Sequence, residues 1–494
     1  MASSALIMLS FPLCVSLLLL HCAQAQLGFG QQETGQPGGR RCQIERLSAL
    51  EPTMRVPSEA GFTEYVDQNH EQFRCAGVAV HRRTILPRGL LLPSYSNAPS
   101  LVYVVQGSII TCPRSFVLFD YGVTVRRRWS LLAGTGIAGT VIPGCPETYQ
   151  SFQQQREGGD EHQRIHSFHE GDIIALPVGV AHWCYNNGEA PVVAITVSYT
   201  SSSANQLDRQ HRFLLAGRER RAQQGAHTEE RSEQQKAVSL LNGFELELLA
   251  EALGVDKEVV RKIQNPDDGR GEIVRVDRGL QLLQPLQRIE EQERQDGDDI
   301  RRRESNGLEE AFCTMDYKQN IGDTTLSDQY DPNAGRITVL NSRKFPVLRF
   351  MQMGAVRGSL RPNTVGAPYW NINTHGIAYA LNGSCQMQVV GHQGRTVFDG
   401  ELRQGQLLVI PPQFVVITKA RSEHYEWVSF KTHDNPMVSQ IVGKASVFRG
   451  MPVEVLINSY RISRDEAKRL KFNRGNLMSM FPLESHGNVM ETET

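Results

Sequence analysis

The sequence predicts a duplicated, mainly β protein in which each half has many short strands followed by a helical arm. With 494 residues, the chain is longer than one hydrophobic core usually supports, so two domains are expected. Three pairs of similar segments indicate the duplication: Leu101–Gly107 with Ile377–Gly383, Gly171–Pro177 with Gly405–Pro411, and Phe244–Asp256 with Met451–Ser463.

The first two pairs predict strands. Leu101–Gly107 and Ile377–Gly383 are short apolar runs that end in a polar residue and a glycine, which is a hairpin signal. Gly171–Pro177 and Gly405–Pro411 each contain a glycine, one polar residue, four apolar residues and a proline. The glycine suits a turn that enters a buried strand, and the proline ends that strand.

The third pair predicts the helical arms. Each copy has a short helix, an apolar residue, an N-cap residue and then a charged helix. Ser463 and Glu466 have the spacing of a capping box at the start of the last helix.

The chain begins with a predicted signal peptide, residues 1–25. Ala5–Leu20 is almost wholly apolar, and the small residues Ala23 and Ala25 predict cleavage between Ala25 and Gln26. No Lys or Arg precedes the apolar run, and a buried helix is the alternative interpretation. No later apolar stretch is long enough to cross a membrane, so no membrane partner is expected.

The charge pattern gives no sign of a nucleic-acid partner. The formal net charge is -1, so no general basic field exists. From Gly307 onward there are 20 Lys and Arg against 17 Asp and Glu, whereas the preceding part has 32 against 36. The first part is therefore mildly acidic and the second mildly basic. Polar surface loops are expected in Glu147–Gln163, Gly217–Lys236 and Asn265–Ser305.

Secretion makes disulfides the expected state of some cysteines. Seven cysteines follow the signal peptide, and none forms a CxxC pair: Cys42, Cys75, Cys112, Cys145, Cys184, Cys313 and Cys385. An odd number leaves at least one thiol unpaired within the chain, and the sequence alone does not give the pairing.

The segment Gly171–Asn186 resembles the second cupin motif: glycine, five residues, proline, one, glycine, two, histidine, three, asparagine. The histidine is His182. Cupins are antiparallel β-barrels of the jelly-roll type, so the resemblance implies two such barrels, a double cupin. In cupins that bind metal, this motif supplies one histidine ligand, and the first motif supplies two more histidines and a glutamate.

Those further ligands are missing here. The first-motif window Pro93–Ser100 has no histidine or carboxylate, and the second copy has only His375 there, at an unsuitable spacing. Val416 stands where the second copy's own motif histidine would be. A transition metal needs about three protein ligands, so we expect no metal, no cofactor, no catalytic residue and a buried structural His182. A cupin metalloenzyme is disfavoured, whereas a metal-free sugar- or hormone-binding cupin stays open.

The segment Asn306-Gly-Leu-Glu-Glu-Ala-Phe-Cys-Thr-Met315 resembles the legumin and glutelin type of 11S seed storage globulin precursors. Met451-Pro-Val-Glu-Val and Ala380-Leu-Asn-Gly resemble the same group, and the resemblance extends from about Cys42 to Asn473. It implies a nitrogen reserve in the protein storage vacuoles of a seed, with no enzyme activity. It also implies that an asparaginyl endopeptidase cuts between Asn306 and Gly307.

The resemblance further implies the chain organisation. The expected parts are a signal peptide (1–25), an N-terminal cupin domain with its arm (26–264), a polar linker (265–306) and a C-terminal cupin domain with its arm (307–494). A disulfide between Cys42 and Cys75 lies within the acidic chain, and one between Cys145 and Cys313 joins the acidic and basic chains. Like subunits form trimers before the cut and hexamers after it. Three cysteines, Cys112, Cys184 and Cys385, have no family partner.

Overall fold

Short strands dominate the described part of the chain. The computed structural model describes residues 42, 44–105, 135–145, 162–163, 165–207, 209–220, 238–265, 267–280, 313–421 and 423–483. The predicted signal cleavage between Ala25 and Gln26, the bond between Asn306 and Gly307, and Cys112 lie outside these residues. Among the described helices, none is long and apolar enough to span a membrane.

The described residues of the N-terminal barrel form thirteen strands. They are β1 (Met54–Ser58), β2 (Gly61–Tyr65), β3 (Val78–Ile85), β4 (Gly89–Ser96), β5 (Ser100–Val105), β6 (Gly136–Val141), β7 (Ile165–Phe168), β8 (Asp172–Leu176), β9 (Ala181–Tyr185), β10 (Val192–Tyr199), β11 (Arg212–Leu214), β12 (Ile273–Arg275) and β13 (Lys318–Asn320). One sheet has the order β1-β2-β3-β10-β5-β8-β13, and the other has the order β11-β4-β9-β6-β7, with β12 also paired to β4.

The C-terminal barrel repeats this arrangement. Its strands are β14 (Gln329–Asp331), β15 (Gly335–Leu340), β16 (Gly354–Leu360), β17 (Thr364–Gly366), β18 (Tyr369–Asn371), β19 (Gly376–Asn382), β20 (Ser384–Val390), β21 (Thr396–Arg403), β22 (Leu407–Ile410), β23 (Val415–Ala420), β24 (Tyr425–Lys431), β25 (Val438–Gln440) and β26 (Met480–Pro482). One sheet has the order β14-β15-β16-β24-β19-β22, and the other has the order β21-β20-β23-β17-β26, with β18 joining β23 to β25.

The strand pairing confirms the duplication and the double-barrel prediction. Strand β5 pairs antiparallel with β8, and the matching β19 pairs antiparallel with β22. Gly171 and Gly405 precede β8 and β22 with φ of 83° and 84°. That left-handed conformation favours glycine, so the repeated glycine is explained by the turn that enters each buried strand.

Helices form the arms that the sequence predicts. The described helices are α1 (Glu71–Ala76), α2 (Leu246–Leu253), α3 (Lys257–Gln264), α4 (Leu348–Met351), α5 (Val447–Gly450), α6 (Val453–Tyr460) and α7 (Arg464–Phe472). Short 3-10 turns occur at Leu240–Gly243, Thr324–Leu326 and His392–Gly394. The capping box predicted at Ser463 and Glu466 is present at the start of α7.

Successive side chains of the strands point to opposite faces of the sheets, and the apolar ones form three main cores. The largest lies between the two barrels, because it contains one face of β3, β5, β8 and β10 together with one face of β16, β19, β22 and β24. The opposite faces of these strands point into the barrels. Strand residues such as Ala378, Val389 and Leu402 fill the C-terminal barrel, and a smaller apolar cluster that includes Ile85 and Val104 lies in the N-terminal barrel.

Part of the segment 265–306, which the sequence predicts as a polar linker, pairs with the N-terminal barrel. Strand β12 pairs with β4, and its residues Ile273 and Val274 are buried. The preceding Glu272 is also buried. Acidic and glycine residues surround this three-residue strand, so composition alone suggested a loop.

Candidate processing and assembly sites

A disulfide joins the two halves of the chain beside β6. Cys145 and Cys313 are bonded, with their Cα atoms 5.3 Å apart, as the family resemblance implied. Gln163 fixes the turn that carries Cys145: its Nε2 donates to the carbonyl oxygens of Ile142 at 2.9 Å and Cys145 at 3.0 Å. Its Oε1 accepts from the Ile142 amide at 2.8 Å. These three hydrogen bonds fix the backbone around Cys145, the cysteine that precedes Asn306 in the sequence.

The segment that follows Cys313 is part of the N-terminal barrel. Strand β13 pairs antiparallel with β8, and the Ala175 amide donates to the Tyr317 carbonyl at 2.8 Å. Asn320 Nδ2 donates to Asp172 Oδ1 at 2.7 Å. Tyr317 and Ile321 are buried in the core between the barrels. The start of the second half thus supplies an edge strand to the first half.

The C-terminal barrel in turn contains a segment from the first half of the chain. Residues 44–50 precede every strand of the N-terminal barrel, yet Leu47 is buried in the core of the C-terminal barrel. The Leu47 amide donates to the Val397 carbonyl at 2.8 Å, and Leu50 exchanges two backbone hydrogen bonds with Leu407. Each half therefore carries a segment that completes the other half.

The other cysteines differ in state. Cys42 and Cys75 are both disulfide-bonded. Cys184 and Cys385 are free thiols, and burial raises the pKa of each to about 12. A thiol with so high a pKa is a poor nucleophile, so neither group supports thiol chemistry.

His182, the histidine of the cupin motif, lies on β9 within the N-terminal barrel. Its neighbours in register are Ser94 on β4 and Thr140 on β6, and neither side chain is a usual transition-metal ligand. Its Nδ1 is 3.3 Å from the Val180 carbonyl oxygen. Across the described residues, no group of three His, Cys, Asp or Glu side chains is arranged to hold a metal ion. The residues around His182 do not fit the cupin metal.

Buried charges occupy this barrel instead. Glu272 accepts hydrogen bonds from Thr63 Oγ1 and Arg212 Nη2, and Arg83 Nε lies 3.5 Å from its Oε1. Burial raises the pKa of Glu272, but the charges of Arg212 and Arg83 outweigh this effect and lower it to about 2. His81 faces the same interior, with no hydrogen-bond partner for its Nε2 among the described atoms. Sequence reasoning missed this network, because charged residues are usually exposed.

Burial also keeps His81 and His182 neutral within this barrel. It lowers the pKa of His182 to about 4, and it lowers the pKa of His81 well below the ordinary value of 6.5. The charges of Arg83 and Arg212 act in the same direction on both rings. The charged residues and histidines described here stabilise one another inside the barrel. They do not include a nucleophile paired with a base.

The helical arms expose apolar side chains. On the first arm Leu249 and Val260 pack together, while Leu248 is 58% exposed and Val259 is 41% exposed. The second arm buries Leu456 and Ala467, and its exposed apolar side chains include Val455, Tyr460 and Phe472. Each arm therefore presents an unpartnered apolar surface in the single chain, as expected for an association surface.

Comparison with known proteins agrees with this double-barrel architecture. The model of the cupin family matches residues 47–120, 128–221 and 320–468. The chain therefore belongs to the cupin family.

The similar proteins place the chain more narrowly. It is 52% identical to cocosin 1 of Cocos nucifera, over 97% of this chain and 98% of the relative, and 45% identical to glutelin type-A 2 of Oryza sativa subsp. japonica, over 96% and 95%. The crystal structure of the coconut allergen cocosin matches with a TM-score of 0.74 and 50% identity, over 90% of this chain and 100% of that one. Procruciferin, an 11S globulin from Brassica napus, matches with a TM-score of 0.74 and 35% identity, over 90% and 99%. The chain is an 11S globulin of the seed storage group, a class of storage proteins and not of enzymes.

Proposed function

We propose that this chain is a nitrogen and amino-acid reserve that a seed deposits in its protein storage vacuoles. The secretory route begins with removal of residues 1–25, by cleavage between Ala25 and Gln26. The storage role of the similar globulins supports this proposal, as do polar stretches rich in glutamine and arginine, whose side chains carry additional nitrogen.

We further propose that an asparaginyl endopeptidase cuts the bond between Asn306 and Gly307. This gives an acidic chain that ends at Asn306 and a basic chain that begins at Gly307. The bond lies in the polar stretch 301–307, which has no apolar side chain to bury and is suited to protease access. Gly307 adds the backbone freedom that an extended substrate needs. The two chains that this cut would produce differ in charge, since the first is mildly acidic and the second mildly basic.

The observation that carries this proposal is the position of the disulfide between Cys145 and Cys313. The proposed cut lies between these two cysteines in the sequence, so the two chains stay covalently linked after it. The exchanged segments at Leu47 and at β13 add contacts that do not depend on the disulfide. A second disulfide, between Cys42 and Cys75, is proposed within the acidic chain. Processing would therefore change the assembly without releasing a fragment.

Assembly with like subunits is the remaining part of the proposal. Trimers form through the helical arms, and processed trimers pair into hexamers. The exposed apolar side chains of both arms support the first step, because a trimer would remove them from water. The new chain ends created after Asn306 would permit the second step.

The processing site can be tested with a matched pair of variants. Asn306→Gln should abolish cleavage and leave the protein as a trimer, because the protease requires asparagine before the bond. Asn382→Gln alters another Asn–Gly pair, which lies in a tight turn where Gly383 has a φ of 66°. This control should be cut normally. Cleavage of the Asn306→Gln variant at that bond, or an uncut hexamer on a sizing column, would contradict the proposal.

The arm interface needs variants that spare the fold of the arm. A charge at Leu248 and Leu249 is one design, but Leu249 is buried within the arm, so its substitution would disrupt the arm itself. Leu248→Asp combined with Val259→Asp alters exposed positions only and should give monomers in sedimentation experiments. Leu326→Asp, at an exposed leucine outside the arms, should stay trimeric. A trimer in the double variant would place the interface elsewhere.

A further inference from the structure

A buried lysine lies at one end of the C-terminal barrel. Lys431 is the last residue of β24, in register with Gly376 at the start of β19. Val428 and Phe430 point to the core between the barrels, so Ser429 and Lys431 point into the C-terminal barrel. Lys431 is only 3% exposed, and burial lowers the pKa of its amine to about 8. At neutral and acidic pH this amine is mainly a buried cation.

In the described part of the chain, no negative side chain is paired with this cation. Lys431 Nζ donates to Asn371 Oδ1 at 3.0 Å, and no described carboxylate forms an ion pair with it. In the N-terminal barrel, by contrast, Arg83 and Arg212 share Glu272. Buried charges are normally paired because the loss of hydration is costly. The Lys431 site therefore lacks the partner that such a charge requires.

The neighbouring polar groups are donors that converge on the same place. Asn371 is fully buried, and its Nδ2 has no hydrogen-bond partner among the described atoms. A Cβ atom placed on Gly376 would lie 3.0 Å from Lys431 Nζ, 3.3 Å from Asn371 Nδ2 and 3.4 Å from Ser429 Oγ. An ammonium, an amide and a hydroxyl thus surround the side of Gly376 that carries no side chain. Together they offer a positive charge and several N–H and O–H donors to one acceptor.

We propose that this end of the C-terminal barrel binds one small monovalent anion, a halide or a formate-sized carboxylate, between Lys431, Asn371 and Ser429. One charge suffices because the site contains one cation. The anion must be small because Lys431, Asn371, Ser429 and Gly376 are all buried. An anion brings only acceptors, which suits the unpaired Nδ2 of Asn371 as well as the amine.

Bromide is the probe for the first experiment, on crystals of the wild-type protein. A bromide soak should give an anomalous scattering peak in contact with Lys431 Nζ and Asn371 Nδ2. A water molecule without anomalous signal at this position would overturn the proposal. A soak with bromide and excess formate separates the two ligand classes: loss of the peak assigns a carboxylate site, and its persistence assigns a halide site.

Solution measurements test the same site with three variants. At constant ionic strength, the melting temperature of the wild type should rise saturably when bromide replaces gluconate, which is too large to enter. Lys431→Met removes the charge, and Gly376→Ala keeps the charge but places a methyl group 3.0 Å from Lys431 Nζ. Each variant should weaken bromide binding about tenfold or more. Lys419→Met removes an exposed lysine of the same barrel and should respond as the wild type does. An equal bromide response in a folded Lys431→Met or Gly376→Ala variant would contradict the proposal. If neither variant folds, the anomalous experiment decides alone.

Discussion

The two barrels share one fold but differ in what fills them. The interior of the C-terminal barrel is mostly aliphatic, with Met387, Val389 and Leu402 in its core. The N-terminal barrel holds a smaller apolar cluster and, beside it, the buried network of Arg83, Arg212 and Glu272. A duplicated jelly roll therefore tolerates either a mostly aliphatic interior or one that contains a network of buried charges. The two barrels should consequently respond to different perturbations.

The largest difference should appear when the balance of the N-terminal network is broken. Glu272→Gln keeps the shape of the side chain but leaves two buried arginines without their anion. Removal of one partner of a buried pair costs about 3–5 kcal/mol in the free energy of unfolding. Urea unfolding measures this loss. The control Glu401→Gln alters an exposed pair with Arg403 and should cost about 0–1 kcal/mol. Equal losses in the two variants would show that the network does not stabilise the barrel.

Truncation of a core side chain tests whether apolar burial stabilises the C-terminal barrel. Leu402→Ala removes methyl groups from a fully buried position and should cost about 2–5 kcal/mol, through lost burial and a residual cavity. Because no charge is involved, the loss should be nearly independent of salt concentration, and urea unfolding at low and high salt checks this. A cost that falls strongly as salt rises would mean that electrostatics stabilises this barrel too.

These contrasts also show what the sequence could reveal. The sequence was sufficient to predict the turns at Gly171 and Gly405 and the capping box at Ser463, because local backbone geometry favours those residues there. The exchanged strand β13 could not be predicted, because its sequence Lys-Gln-Asn has no alternation of apolar and polar residues. It forms a strand because it pairs with β8, which is distant in the sequence. The burial of Glu272 could not be predicted for a related reason. A carboxylate can be buried when oppositely charged partners pair with it, and Arg83 and Arg212 are distant from Glu272 in the sequence.

The two barrels should also differ in their response to pH. His81 and His182 in the N-terminal barrel are neutral when folded but have an ordinary pKa near 6.5 when unfolded. Below pH 6.5 the unfolded chain binds more protons, so stability falls with acidification, down to the folded pKa of about 4 for His182. The loss approaches about 1.4 kcal/mol per pH unit for each histidine. Burial lowers the pKa of His375, next to the C-terminal barrel strand β19, to about 4, so this histidine contributes a loss of the same kind.

Substitutions separate these contributions. Unfolding free energies measured between pH 7 and 5 should fall less steeply for the double variant His81→Gln and His182→Gln than for the wild type. The single variant His375→Gln should flatten the profile about half as much, since it removes one group instead of two. A double variant with the wild-type slope would contradict the assignment of neutral histidines to the N-terminal barrel.

Cleavage after Asn306 is proposed to leave the two halves joined, both by the disulfide and by the segments that the two barrels exchange. Gel electrophoresis of the cleaved protein under denaturing conditions, with and without reductant, tests it most directly. One band without reductant and two with it is the predicted result. Cys313→Ser should give two bands even without reductant, yet its halves should elute together from a native sizing column through β13 and Leu47. Two bands from the wild type without reductant would contradict the disulfide link, and separate elution of the halves would contradict the exchange of segments.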